Sequence, residues 1–203
     1  AYAVGGHERQ KLDLYLPKNA NPSEPVPLVI WVHGGGWQKG SKDLIGRNAF
    51  LLENGFALAA VSYRLSSHAP FPAQIHDCKA AIRFLRKHSR SFGIDPGRIG
   101  VWGASAGGHL VALLGTGGGV GALEGDVGDW KKFSSDVQAV CDWFGPSSLV
   151  TQGEHAKMRF GPDLADWPGA KFLGGPLAER LDVARMASPV TYVSEDDPPF
   201  LIM

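Results

Sequence analysis

The sequence lacks a net charge and any long apolar run, and both absences narrow the range of functions. Its 203 residues include 20 basic and 20 acidic side chains, so the formal net charge is zero. A balanced charge predicts binding neither to nucleic acid nor to an anionic surface. The apolar runs have the length of strands and fall short of the roughly 20 residues that cross a bilayer. We therefore expect a soluble protein without a membrane span, either cytoplasmic or secreted.

Cysteine is also scarce, with Cys78 and Cys141 as the two examples. One falls on the apolar face of a predicted helix and the other within a strand-like run, which favours two separately buried thiols over a disulfide. Cysteines, histidines and carboxylates show no metal-ligand spacing. The glycines at 117, 119 and 121 lack the flanking strand and helix of a dinucleotide site. We predict neither a metal nor another cofactor.

Strand-like and helix-like segments alternate along the chain, which predicts one α/β domain with a mostly parallel sheet covered by helices on both faces. A partly exposed strand is expected at 11–16, and buried strands at 28–32, 56–61, 99–102 and 137–143. A helix that begins near Pro72 should pack one face on the sheet. Its apolar positions are Ile75, Cys78, Ile82 and Leu85, whereas Lys79 and Arg83 are expected on other faces.

The segments between these elements are less regular. A turn is predicted at 95–97, and a helix over 106–114 is expected to stop at Gly115. Residues 116–135 are rich in glycine and poor in periodicity, which indicates a mobile excursion. Short amphipathic pieces between 147 and 187 suggest a cap-like insertion above the strand ends.

Ser105 is the strongest candidate for a catalytic residue. It lies at the centre of Gly103-Ala104-Ser105-Ala106-Gly107, directly after an apolar strand-like run and before a helix-like one. A sharp turn that raises a hydroxyl above a sheet leaves no room for side chains beside it, hence the small neighbours. The motif predicts a nucleophile between strand and helix.

A second glycine motif lies upstream, where the apolar run 27–32 leads into His33-Gly34-Gly35-Gly36-Trp37. Glycines after a buried strand allow backbone N–H groups to turn toward a developing oxyanion. A strand, this loop, and then a strand, elbow and helix form the order that a serine hydrolase needs. Trp37 and Trp143 fall at strand ends, and each is expected either to line a substrate pocket or to pack in the core.

Together these motifs resemble the α/β-hydrolase fold, in particular the esterases and lipases with an HGGG-type oxyanion loop. Further stretches resemble its hormone-sensitive-lipase-like and feruloyl-esterase-like branches: KLDLYLP at 11–17, VSYRL at 61–65, DCKAAIRFLR at 77–86, ASPVTYV at 187–193 and DDPPFLIM at 196–203. The resemblance implies that the backbone N–H groups of Gly35, Gly36 and Ala106 form the oxyanion hole. It gives His33 a structural role in bracing the glycines.

In α/β-hydrolases the catalytic acid and then the histidine follow the serine, after the last core strands. The resemblance places both beyond Met203. It therefore implies a chain truncated before these residues, with C-terminal strands missing and with a missing segment or a swapped partner needed to complete it. His109, on the elbow helix, is expected to pack against a neighbouring strand rather than to act as a base.

The expected function is hydrolysis of small or aromatic acyl esters by a serine carboxylesterase, with feruloyl or acetyl esters of plant polysaccharide as candidate small-molecule substrates. Two alternatives remain open. An arylformamidase also has a His-Gly-Gly loop and a similar elbow, although its loop usually places Tyr where this chain has Gly36. A non-catalytic ligand binder on the same fold, as in the gibberellin receptors, is the other.

Overall fold

The computed structural model describes residues 1–21, 23–164 and 166–203, with the backbone alone at 46 and 47. These residues form a six-stranded sheet in the order β1-β3-β2-β4-β5-β6. The first strand pairs antiparallel with β3, and the other neighbours are parallel. The strands are β1 (Leu12–Tyr15), β2 (Val26–Val32), β3 (Ala57–Val61), β4 (Ile94–Ala104), β5 (Ala139–Trp143) and β6 (Phe200–Ile202). The predicted mostly parallel sheet is confirmed.

Helices connect the strands and cover both faces of the sheet. The α-helices are α1 (Phe50–Glu53), α2 (Ala73–Lys87), α3 (Ser89–Phe92), α4 (Ala106–Thr116), α5 (Gly121–Glu124), α6 (Leu149–Phe160), α7 (Pro168–Leu173) and α8 (Leu181–Met186). Short 3-10 helices span Gly46–Ala49, Leu177–Glu179 and Pro189–Thr191. Three of the α-helices, α6 to α8, lie within the predicted insertion at 147–187.

The core has two parts because neighbouring residues of a strand point to opposite faces. Val101 of β4 belongs to the larger part, where α2 and α4 pack. Its neighbour Trp102 belongs to the smaller part, with Trp31 and with Leu51 of α1. Helices on both faces are therefore observed, as predicted, with the nucleophile motif at the end of the central strand β4.

The predicted turn at 95–97 lies inside β4 instead of before it. Val26 is paired with Ile94 and Leu28 with Ile99, so the register between β2 and β4 shifts at this point. The extra residues form a local turn in which Gly97 N donates to Asp95 Oδ1 over 2.8 Å. The chain does turn at 95–97 as predicted, but β4 does not begin after the turn. The strand continues through it, and the turn forms a bulge within the strand.

Gly115 does not end α4, contrary to the prediction, because the helix continues to Thr116. A Cβ at Gly115 would lie 2.6 Å from side-chain atoms of Phe200 and Val140. The glycine therefore allows α4 to pack closely on β5 and β6. The C-cap is Gly117.

The expected placement of Lys79 and Arg83 outside the packed face of α2 is wrong, since both are buried. Lys79 Nζ donates to Glu124 Oε1 over 2.5 Å, and Arg83 Nη1 donates to Glu124 Oε2 over 2.8 Å. Lys79 Nζ also donates to Gly117 O over 2.8 Å. These contacts attach the glycine-rich excursion at 116–135 to α2.

Both cysteines are free: Cys78 is buried and Cys141 half-buried, as two separate thiols. In the described part of the chain, no helix combines the length and apolar character needed to cross a bilayer.

Candidate active site

Ser105 occupies the turn between β4 and α4 and is exposed. Its backbone has φ 55° and ψ −119°. A positive φ is uncommon for a residue with a side chain, and such strained residues cluster at functional sites. Ser105 N donates to Trp143 O over 2.8 Å, which holds the turn against the end of β5.

Two glycines make this turn possible. A Cβ at Gly103 would overlap the backbone of Gly107, and a Cβ at Gly107 would overlap Val32 O. The second contact shows that α4 starts directly against the end of β2. Glycine at both positions therefore allows the nucleophile turn and the oxyanion loop to approach each other.

The loop after β2 lies beside Ser105. A Cβ built on Gly34 would be 3.5 Å from Ser105 Cβ and 2.7 Å from Ala104 O. The loop then turns through three consecutive residues with positive φ: Gly35 at 116°, Gly36 at 60° and Trp37 at 57°. Gly35 O accepts hydrogen bonds from Gln38 N at 3.1 Å and Lys39 N at 3.2 Å, which closes a tight turn.

Three backbone donors in this region have no hydrogen-bond partner among the residues that the structure describes. In the described ranges, the N–H groups of Gly35 and Gly36 donate no hydrogen bond. Ala106 is the first residue of α4, so its N–H has no acceptor within the helix and has none outside it among the described residues. Unpaired N–H groups at a helix start and in a glycine loop attract negative charge.

His33 is buried at the base of the loop. Its ring stacks on Tyr63 with centroids 4.3 Å apart, and its Nδ1 lies 2.8 Å from Gly34 O. Tyr63 Oη in turn donates to His33 O over 3.0 Å. Burial lowers the pKa of His33 to about 4, so its imidazole is neutral at pH 7.

His109, on α4, is fully buried and both of its ring nitrogens are engaged. Trp37 Nε1 lies 3.3 Å from His109 Nδ1, and His109 Nε2 lies 2.6 Å from Ala187 O. An indole nitrogen only donates, so Nδ1 is the acceptor and Nε2 carries the proton. Burial lowers the pKa of His109 to about 4. The ring has no nitrogen free to accept the serine proton, but its ring contacts are with Trp37 in the loop after β2 and Phe172 of α7 and not with the strand expected for it.

The two tryptophans predicted at strand ends lie in different parts of the core. Trp37 is 3% exposed, and its ring centroid lies 4.4 Å from that of Phe172 of α7. Of the two roles expected for it, pocket lining and core packing, the structure shows core packing. Trp143 is half-buried and contacts the ring of Trp102 at 4.7 Å. It lines an apolar depression of about 520 Å³ in the smaller part of the core. The two glycine motifs lie side by side in the structure, whereas Trp37 and Trp143 lie in different parts of the core.

Asp142 was not anticipated at the site. It is buried at the end of β5, where its Oδ1 accepts a hydrogen bond from Gly145 N over 2.8 Å. A Cβ at Gly108 would overlap the same oxygen, so the carboxyl group lies directly against the start of α4. Burial raises the pKa of Asp142. The sequence signal that could have identified Asp142 is the presence of a carboxylate inside the otherwise apolar run 137–143.

No described histidine or carboxylate forms a hydrogen bond with Ser105 Oγ. The site in the described residues therefore consists of an exposed hydroxyl and a set of unpaired N–H donors.

Comparisons with known proteins identify the family and the fold. Esterase LipC of Mycobacterium tuberculosis is 30% identical over 201 residues, which are 98% of this chain and 48% of LipC. A truncated carbohydrate esterase from gut microbiota has a TM-score of 0.89 at 35% identity, with 99% of this chain and 73% of that one covered. A thermophilic esterase from the Planctomycetes species Thermogutta terrifontis, with propionate bound, has a TM-score of 0.72 at 27% identity, with 94% and 65% covered.

The chain spans about half the length of the curated relatives it matches. The BD-FAE family model matches residues 12–203. Because that match covers nearly all of the sequence, the chain belongs to the BD-FAE family and has the α/β-hydrolase fold of its esterase relatives.

Proposed function

We propose that this chain supplies the nucleophile and the oxyanion hole of a serine carboxylic-ester hydrolase. One observation carries the proposal: an exposed serine with positive φ lies beside a loop in which the N–H groups of Gly35 and Gly36 have no partner among the described residues. The donors are those of Gly35, Gly36 and Ala106. The esterase relatives support the same reaction class.

In the proposed reaction, Ser105 Oγ forms a bond to the carbonyl carbon of the ester. The hydroxyl proton passes to a general base, and the carbonyl oxygen becomes an oxyanion that accepts hydrogen bonds from the three N–H groups. Collapse of this intermediate breaks the bond to the alcohol, which leaves with the proton from the base. Water then releases the acid from the acyl-serine by the same steps.

The oxyanion donors account for a large part of the expected rate enhancement. Removing one such donor in a comparable site lowers kcat by roughly 10² to 10³-fold. The start of α4 adds partial positive charge at the same position. His33 and His109 are both engaged elsewhere, so the proposal assigns neither of them as the general base.

For the substrate, we propose esters of small or aromatic acids, with acetyl or feruloyl groups on a polysaccharide as the first candidates. A structural relative is a carbohydrate esterase, and another holds propionate, a small acid. The segment 147–187 approaches the site, because a Cβ at Gly36 would lie 3.4 Å from Pro168 at the start of α7. We propose that this segment acts as a cap that bounds the acyl pocket.

The test compares the intact protein with Ser105→Ala, using nitrophenyl acetate, methyl ferulate, acetylated xylan and N-formylkynurenine as substrates. We expect Ser105→Ala to lose at least about 10⁴-fold in kcat. Ser67→Ala, at an exposed serine in another loop, is the control and should keep the activity. Turnover of N-formylkynurenine alone would favour an arylformamidase. Ester binding without turnover by the wild type would indicate a non-catalytic binder.

A further inference from the structure

Arg9 contacts two backbone carbonyls and one imidazole around the oxyanion loop. It lies in the segment before β1 and is half-buried. Its Nε donates to Tyr63 O over 2.8 Å, just after β3. Its Nη2 donates to Gly40 O over 2.6 Å and lies 3.5 Å from His33 Nε2. One guanidinium therefore contacts the chain just after β3, the end of the loop and the imidazole at its base.

The contacts of His33 with Arg9 and with Gly34 O place the ring proton on the same nitrogen. A guanidinium only donates hydrogen bonds, so His33 Nε2 must be the acceptor in the pair. The proton of the neutral ring then lies on Nδ1, which donates to Gly34 O over 2.8 Å. The other tautomer would place an N–H against the guanidinium and a lone pair against the carbonyl oxygen.

The orientation of Gly34 O fixes the orientation of an oxyanion donor. The carbonyl of Gly34 and the N–H of Gly35 belong to one planar trans peptide unit and point in opposite directions. A hydrogen bond from His33 to that carbonyl therefore directs the Gly35 N–H away from the imidazole. Glycine at 34 and 35 would otherwise let this peptide unit rotate easily, because it has no side chain on either side.

The end of the loop packs on the same hydrogen bond. A Cβ at Gly40 would lie 2.5 Å from His33 Nδ1 and 2.6 Å from Gly34 O, so the Gly40 backbone covers this contact. Arg9 holds Gly40 in place through its carbonyl. The guanidinium thus acts on the Gly34–Gly35 peptide unit from two directions, through the imidazole and through Gly40.

We propose that Arg9 is a positioning residue of the oxyanion hole, which stabilises the His33 tautomer and through it the direction of the Gly35 N–H. This inference rests on the proposed function, in which that N–H stabilises the oxyanion. A misdirected donor lowers transition-state stabilisation while leaving ester binding nearly unchanged.

The test uses Arg9→Met and Arg9→Lys in the intact protein. We expect Arg9→Met to lower kcat by roughly tenfold to hundredfold, the range for a misplaced catalytic group or a lost donor, with KM changed by less than about twofold. The affinity for a phenylboronic acid, which places an anionic oxygen in the hole, should fall by a similar factor. Arg9→Lys keeps the charge without the planar fork, so its kcat and its boronic-acid affinity should lie between those of the wild type and of Arg9→Met. If Arg9→Met does not fold, Arg9→Lys carries the same measurements.

Arg86→Met is the matched control. Arg86, like Arg9, donates to backbone carbonyls, in its case those of Pro96, Ser134 and Asp136, but it lies on α2 away from the loop. Its loss should lower stability and leave kcat unchanged. A purely structural role for Arg9 would give the same result as this control, and that result would overturn the proposal.

A spectroscopic readout separates this inference from the proposed function. Nitrogen-15 NMR of His33 should show the proton on Nδ1 in the wild type and a mixture of tautomers in Arg9→Met, with a shifted Gly35 amide signal. An unchanged tautomer and amide in Arg9→Met would refute the role of Arg9, whether or not the protein hydrolyses esters. Absence of ester turnover by the wild type would refute the proposed function instead.

Discussion

Trp37 Nε1 donates a hydrogen bond to His109 Nδ1 over 3.3 Å, and this contact joins the glycine loop after β2 to the helix that follows Ser105. Both residues are buried. The two glycine motifs, which are 72 positions apart at these residues, are therefore connected through the core as well as through the close approach at Ser105.

Trp37→Phe should destabilise the protein by about 1 to 3 kcal/mol. The smaller ring still stacks on Phe172, but it leaves His109 Nδ1 buried without a donor, and an unsatisfied buried acceptor has a penalty of this size. Urea denaturation measures the change. Trp102→Phe is the matched control, because Trp102 Nε1 is buried and has no hydrogen-bond partner among the described residues. Equal losses in the two variants would contradict this account.

Gly107→Ala should abolish activity and lower stability by at least about 1 to 3 kcal/mol, the usual range for overpacking. The added methyl group would overlap Val32 O and lie 2.7 Å from His33 O, which would push α4 away from the oxyanion loop. Gly121→Ala in α5 meets nothing within 4 Å and serves as the control. Hydrolysis rates and thermal unfolding are measured for both variants. A fully active Gly107→Ala would show that the close approach is unnecessary.

The stability of the protein should fall as the pH is lowered from about 6.5 to about 4, partly because of His109. Its pKa is about 4 in the fold, against 6.5 as the ordinary value, so the unfolded chain binds a proton in this range that the fold does not. The free energy of unfolding therefore rises with pH across this window, by up to about 3 kcal/mol for this group.

His109→Gln should remove that part of the pH dependence. Urea denaturation at several pH values between 4.5 and 7 would show a shallower slope for His109→Gln than for the wild type. His155→Gln, at an exposed position, should keep the wild-type slope. A slope unchanged by His109→Gln would mean that the buried imidazole is not the titrating group.

Glu124→Gln should destabilise the protein by about 3 to 5 kcal/mol. The change leaves the cations of Lys79 and Arg83 buried without their carboxylate, and a buried charge that loses its partner carries a penalty of this order. Hydrogen exchange should also speed up in residues 116–135, which these contacts hold on α2.

Asp126→Asn breaks an exposed pair with Lys131 and should change the stability by less than about 1 kcal/mol. A similarly small effect of Glu124→Gln would contradict the structural role of the buried cluster.

The sequence predicts the parts of this fold that depend on local pattern. The apolar runs identify the buried strands, and the two glycine motifs identify the turns at Gly35 and Ser105, because only small residues fit there. The same reasoning fails for Lys79, whose burial depends on Glu124, a residue 45 positions away that no periodicity connects to it. The contacts of Arg9 likewise arise only in the folded chain. In an irregular segment, the sequence does not indicate which partners a polar side chain will bind.

The stop predicted at Gly115 shows the same limit. Glycine there marks a close helix-to-strand contact with Val140 and Phe200, and the sequence signal for a helix end and for close packing is the same residue. Trp37 is a similar case, because a ring at a strand end fits both a pocket and the core.

The most direct measurement of the central claim is peptide mapping by mass spectrometry after the intact protein reacts with a serine-directed fluorophosphonate. Our account predicts one phosphonyl adduct on Ser105, formed in step with the loss of ester hydrolysis. An active protein that is inhibited through a different serine, or that keeps its full activity with Ser105 labelled, would contradict it.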